Sequence, residues 1–140
     1  MDGLAMDVPA LSAFMVEAFP QVAGDFRVEA VGPGTITVRL LTADRHLRPG
    51  GTISGPTMFA LADVAVYLAI LARIGPVALA VTTNASIDFL RKPAAGRDLI
   101  GEGRLLKLGR VLAVGDVLIR SEGSDDIVAR ASATYSIPPR

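Results

Sequence analysis

A single carboxylate, Asp63, interrupts the apolar run 58–72, where an unpaired charge is expensive to bury. Such a group is paired, hydrogen-bonded or open to a cleft. In a cleft it can act as general base or as nucleophile. An Asp on an exposed helix edge, or one capping nearby backbone, fits the same residues. Just upstream, Gly51-Thr52-Ile53-Ser54-Gly55-Pro56-Thr57 leads into that run. Free N–H groups and the positive dipole end at a helix start can polarise a carbonyl or hold an oxyanion. The same stretch also reads as an ordinary well-capped helix. Gly55 and Asp63 lie eight residues apart, about 12 Å along a helix rising about 1.5 Å per residue. One helix cannot readily bring both to one reacting carbonyl. If both act, the second comes from another chain, with two such helices antiparallel across a two-fold axis. Tyr67 follows Asp63 by one helical turn and is placed either to donate a hydrogen bond to it or to pack.

A second group of interest is basic. Arg91, Lys92, Arg97, Arg104, Lys107 and Arg110 face only Asp98 and Glu102 over residues 91–110. This local excess can serve phosphates on an acyl carrier, or it can be solvated decoration and protection at strand ends. Over the whole chain the charges cancel, with 14 Lys+Arg against 14 Asp+Glu. That balance excludes nucleic-acid binding driven by bulk charge. The chain has no Cys and one His, His46. It therefore lacks thiolate nucleophiles and Cys-ligated metal, and one histidine cannot build a multi-His site. No metal is expected, and His46 reads as a loop histidine rather than a base.

The elements that must position these residues follow from periodicity. Residues 8–19 carry Leu11, Phe14, Met15 and Ala18 at helical spacing, with Pro20 just beyond. Residues 25–31 and 35–41 alternate about Gly32-Pro33-Gly34 and read as a hairpin. A loop, 42–54, contains Pro49-Gly50-Gly51. The long helix then runs from about 56 to 74, with Ser54 or Gly55 as N-cap, Pro56 at its first turn and Gly75-Pro76 after it. It is apolar almost all round and must be covered on most sides, by a sheet curling around it or with help from a second subunit.

Four strands complete the chain, at 79–90, 99–108, 111–120 and 127–137. In the first, Leu79, Val81, Thr83, Ala85, Ile87 and Phe89 share one face; Thr82, Asn84, Ser86 and Asp88 share the other. The fold class expected is α+β with a largely antiparallel sheet. One domain spans 1–140, with 1–20 as an N-terminal helix region and 21–140 as the core. The N-terminus has no basic segment followed by an apolar one, so no signal peptide is expected. The apolar run is too short and carries a charge, so it reads as a buried helix rather than a membrane span. A cytoplasmic location, with no membrane and no nucleic-acid partner, is the expectation.

With these residues placed, the chain resembles the hotdog-fold acyl-CoA thioesterases, especially the phenylacetate-pathway (PaaI-like) type. That type carries Asn-x-x-Gly-x-x-His-Gly-Gly, then four residues and Leu-x-Asp. Here Arg48, Gly51, Ser54, Gly55, Pro56, Leu61 and Asp63 occupy those positions, so that both glycines 51 and 55, Leu61 and Asp63 are in register. The stretch 84–93, ending Phe89-Leu90-Arg91-Lys92-Pro93, is similar to the family strand that ends in Phe-Leu-x-Pro. The resemblance implies a long helix wrapped by a curved antiparallel sheet of about six strands. It also implies a homodimer, or a dimer of dimers, with sites at the subunit interface. In that family the N–H matching Gly55 polarises the thioester carbonyl, and the carboxylate matching Asp63, from the partner chain, is base or nucleophile.

Three positions depart from the pattern: Arg48 for Asn, Ser54 for His and Pro56 for Gly. Pro56 has no N–H, which leaves the carbonyl to Gly55, with Thr57 as a further donor. Arg48 can approach an acyl carboxylate, a CoA group or Asp63. The resulting expectation is an acyl-CoA thioester hydrolase with Asp63 and Gly55 catalytic. Its substrate-contacting set is Arg48, Ser54, Thr57, Tyr67, Asn84, Arg91, Lys92, Lys107 and Arg110. CoA arrives as part of the substrate and no other cofactor is implied. The alternatives are a non-catalytic acyl-CoA binding module and a hydroxyacyl-thioester dehydratase, the latter needing a histidine beside the helix carboxylate.

Overall fold

The computed structural model describes residues 3–139. Two helices, α1 (Val8–Ala18) and the single turn α2 (Pro20–Ala23), precede the hairpin β1 (Phe26–Gly32) and β2 (Thr35–Leu40). A 3-10 turn at Asp44–His46 sits in the loop that leads to α3 (Gly55–Ile74). Four strands follow: β3 (Val81–Phe89), β4 (Leu99–Leu108), β5 (Leu112–Ser121) and β6 (Ile127–Ser136). They form one six-stranded sheet in the order β1-β2-β4-β5-β6-β3, antiparallel at every pairing. The fold is α+β, a curved sheet around a long central helix.

α3 is the core. Its residues from Leu61 to Ala72 are buried except Asp63, because β2, β4, β5 and β6 all lie against it. By length and composition α3 could cross a membrane, yet here it is the buried centre of the fold. The sheet comes close to it where side chains are absent. A Cβ on Gly101 would stand 3.2 Å from Leu61 Cγ, and one on Gly115 would stand 3.1 Å from Val66 Cγ1. On β6 the residues buried in the core include the small Ala129 and Ala133. The helix stops at Gly75, whose φ of 96° suits glycine and whose N–H donates to the Leu71 carbonyl. α1 packs across β1 and α3 through buried Leu11 and Met15. It ends just before Pro20, as the sequence implies; Phe19 closes α1 and opens α2, and Pro20 begins that further turn.

Two details of the sheet matter for the site. β3 is an edge strand, paired on one side with β6 and on the other with nothing among the described residues. It also contains a bulge, since the register with β6 slips between Thr82 and Asn84. The uninterrupted alternation expected over 79–90 is therefore broken at Thr83. Across the bulge Thr82 turns toward α3, where it meets Asp63, while Ala85 and Ile87 keep the inward phase.

Candidate active site

Asp63 is the one half-exposed position in the middle of α3. Its Oδ1 accepts hydrogen bonds from Tyr135 OH at 2.8 Å and from Thr82 Oγ1 at 2.7 Å. The Tyr135 hydroxyl also lies 3.0 Å from the Asp63 backbone carbonyl oxygen. Among the described residues Oδ2 accepts none, which leaves that oxygen free to meet a ligand. Tyr135 is buried, and burial together with the charge of Asp63 pushes its hydroxyl well above the usual tyrosine range. It therefore stays a donor at any working pH. Of the two roles the sequence left open for Tyr67, donating to Asp63 or packing, the structure shows packing: the ring is buried and its hydroxyl donates to the Ala78 carbonyl at 3.0 Å. Its ring still shares a cleft of about 510 Å3 with Asp63, Tyr135 and Thr82.

The start of α3 is built from Ser54. As N-cap, its Oγ accepts from the Thr57 N–H at 3.3 Å and lies 2.9 Å from Thr57 Oγ1. Its carbonyl accepts from the Met58 N–H. Pro56 has no N–H. Of the first donors of the helix this leaves one, Gly55, whose N–H has no partner among the described residues. Thr57, offered by the sequence as a second donor, is already engaged by Ser54. Gly55 opens into a separate cleft of about 450 Å3 that it shares with Arg48, Phe89, Arg91 and Lys92. Phe89 closes on it so tightly that a Cβ at Gly55 would sit 3.1 Å from the ring.

Within one chain, then, Gly55 and Asp63 line different clefts. The helix spacing required this, and β3 shows how they are related: Thr82, at its start, faces the Asp63 cleft, and Phe89, at its end, faces the Gly55 cleft. The basic residues divide the same way. Arg91 and Lys92 line the Gly55 cleft, with Arg91 3.4 Å from Asp126. Lys107 and Arg110 lie at the other end of the sheet, around the β4–β5 turn. Arg104 is occupied by Asp116 at 2.9 Å, and Arg97 donates to the Glu122 carbonyl. The six do not form one patch in a single chain. Asn84 is exposed, lines neither cleft and lies on the sheet face opposite Thr82.

His46 is buried in the 3-10 turn, remote in role from Asp63. Its Nδ1 accepts from the Ala43 N–H at 2.9 Å, and its Nε2 faces Asp25 Oδ1 at 3.4 Å. Its carbonyl accepts from the Ser54 N–H, which ties this loop to the start of α3. Within one chain His46 makes no contact with Asp63, the helix carboxylate a dehydratase would pair with a histidine. No cluster of three or more His, Cys, Asp or Glu suited to a metal occurs among the described residues.

Residues 50–128, which contain Gly55 and Asp63, match the Thioesterase superfamily. This chain belongs to that superfamily. Its fold is shared with a "putative thioesterase" of Silicibacter sp. TM1040, 62% identical over 97% of this chain and 94% of that one, with a TM-score of 0.91. The phenylacetic acid degradation protein PaaI of Thermus thermophilus, in a mutant form, is 30% identical over 85% of this chain and 99% of that one, with a TM-score of 0.73. A Streptococcus mutans UA159 protein solved bound to acetyl CoA is 27% identical over 82% and 90%, with a TM-score of 0.71. Superfamily membership supports a hydrolase of the thioester or ester type.

Proposed function

We propose that the protein hydrolyses acyl-CoA thioesters at a site assembled from two copies of the chain. The observation that carries this is the pairing of two unused groups, the Gly55 N–H and Asp63 Oδ2, at opposite ends of a free edge strand. Antiparallel pairing of two β3 edges sets the Val81 end of one copy against the Phe89 end of the other. The Gly55 cleft of each copy then meets the Asp63 cleft of its mate. Exposed apolar residues lie at both ends to be covered, Val81 at 54% and Phe89 at 52% exposure. The same pairing brings Lys107 and Arg110 of one copy toward Arg91 and Lys92 of the other, restoring a basic surface for the CoA phosphates. The CoA-bound relative from Streptococcus mutans supports this substrate class.

In this site the Gly55 N–H, at the positive end of α3, donates to the thioester oxygen as charge develops on it. Asp63 Oδ2 takes a proton from water while the water oxygen attacks the carbonyl carbon. The C–S bond breaks, the thiolate of CoA takes up a proton, and the free acid leaves. In the second route available to the same oxygen, Oδ2 attacks directly, CoA departs and water hydrolyses the anhydride. A single turnover in H2 18O separates the routes, because only the second can leave label in the Asp63 carboxylate.

The first experiment is free-thiol release across a panel of acyl-CoAs by wild type and Asp63→Asn. The variant keeps shape and loses charge, so turnover should vanish while acyl-CoA binding survives. Retention of more than about a tenth of wild-type kcat would place the base or nucleophile elsewhere. Tight binding without turnover by the wild type would instead make the protein an acyl-CoA binding module.

A further inference from the structure

The cleft beside Asp63 is larger than the reacting atoms need, and its wall changes character along its length. Asp63 stands at one end. From there the rings of Tyr135, Tyr67 and Phe19 follow in order, with centroids 6.0 Å apart for the first pair and 6.5 Å for the second. Val64, Leu79 and Val81 fill in the lining. The side-chain hydroxyls along this wall are all engaged. Tyr135 and Thr82 donate to Asp63, and Tyr67 donates to the Ala78 carbonyl. Beyond the carboxylate, no side-chain donor is left to meet a ligand.

The geometry assigns this cleft to the acyl group of the substrate, and selects an unsubstituted hydrocarbon acyl group whose length Phe19 limits at the far mouth. The assignment rests on the thioesterase reading above. A hydroxyl or carboxylate near the end of the acyl chain would lose water and gain no side-chain partner. Phe19 is suited to set a length because its backbone is fixed from both sides. Its N–H donates to the Met15 carbonyl at 2.9 Å, and its carbonyl accepts from Val22 at 3.2 Å and Ala23 at 3.1 Å. Its ring meets Tyr67 nearly edge-on at 81°. The junction of α1 and α2 is thus a specificity element, and Tyr67 with its anchored hydroxyl is the wall between that element and the chemistry.

The test uses the intact protein and kcat/KM for acetyl-, octanoyl-, ω-hydroxyoctanoyl- and dodecanoyl-CoA, read by free-thiol release. Wild type should prefer octanoyl over ω-hydroxyoctanoyl by about ten- to a hundredfold. Phe19→Ala should raise the dodecanoyl-to-octanoyl ratio by about tenfold. Phe19→Leu, which keeps an apolar residue at the junction, should move it in the same direction by less and covers the case in which the alanine variant does not fold. Equal turnover of the hydroxylated substrate, or a length profile that neither variant moves, would overturn the assignment while leaving hydrolysis intact. Absence of thiol release from every substrate, acetyl-CoA included, would overturn the hydrolase reading and the acyl cleft with it.

Discussion

Replacing Tyr135 by Phe removes the hydroxyl that donates to Asp63 Oδ1 and lies against the Asp63 backbone carbonyl, and leaves the buried ring in place. A hydrogen bond to a charged group contributes about 1.5–3 kcal/mol, so kcat should fall about ten- to a hundredfold as the carboxylate loses its orientation. KM for acyl-CoA should change much less, since the Gly55 cleft is untouched. Loss of both in equal measure, or a large drop in melting temperature, would make Tyr135 a packing residue only. Asp63 was legible from the chain because a lone charge in an apolar run demands an explanation. Tyr135 was not, because it continues the phase of Ala129, Ala131 and Ala133 and reads as core. Tyr67 had the helical spacing to be the donor. Sharing a helix face fixes where its ring begins, however, and not where its hydroxyl ends, which is at Ala78.

At the scale of elements, β3 decides the most. Its polar face looked continuous from Thr82 to Asp88, and the bulge at Thr83 overturns that for one residue that matters. A period-2 pattern cannot reveal a bulge when the residues on both sides of it are small and polar, as Thr82, Thr83 and Asn84 are. The bounds of α3 and the paired strands were legible, since a helix apolar all round and a sheet of alternating runs leave few other arrangements. The basic residues were readable as a group in sequence and lie at opposite ends of β3 in space. If two copies pair along that strand, substituting Lys92, Lys107 and Arg110 with Gln should raise KM for CoA thioesters and weaken its dependence on salt. Pantetheine thioesters, which lack the nucleotide phosphates, should be affected far less. Equal damage to both substrate types would show that these residues support the sheet rather than the ligand.

At the scale of the whole molecule, the separation of Gly55 from Asp63 becomes a statement about assembly. In the assembly proposed above, each copy supplies a carbonyl-polarising N–H to one site and a carboxylate to the other. Complementation between two inactive parents tests this directly. Asp63→Asn lacks the charge, and Gly55→Trp fills the cleft at the helix start, where even a Cβ already presses on Phe89. Each homodimer has two defective sites. A mixed dimer has one site with both lesions and one with neither, because the two-fold axis exchanges the contributions. Random co-assembly of equal amounts makes about half the dimers mixed, each with one good site of two, so activity should return to about a quarter of wild type. The two chains must be co-expressed or refolded together, since an obligate dimer does not exchange freely. No recovery in verified mixed dimers would mean that Gly55 and Asp63 of one chain serve the same site. A melting curve and a size measurement on the Gly55→Trp homodimer exclude the trivial cause, a tryptophan that prises Phe89 and the β3 edge away from its mate.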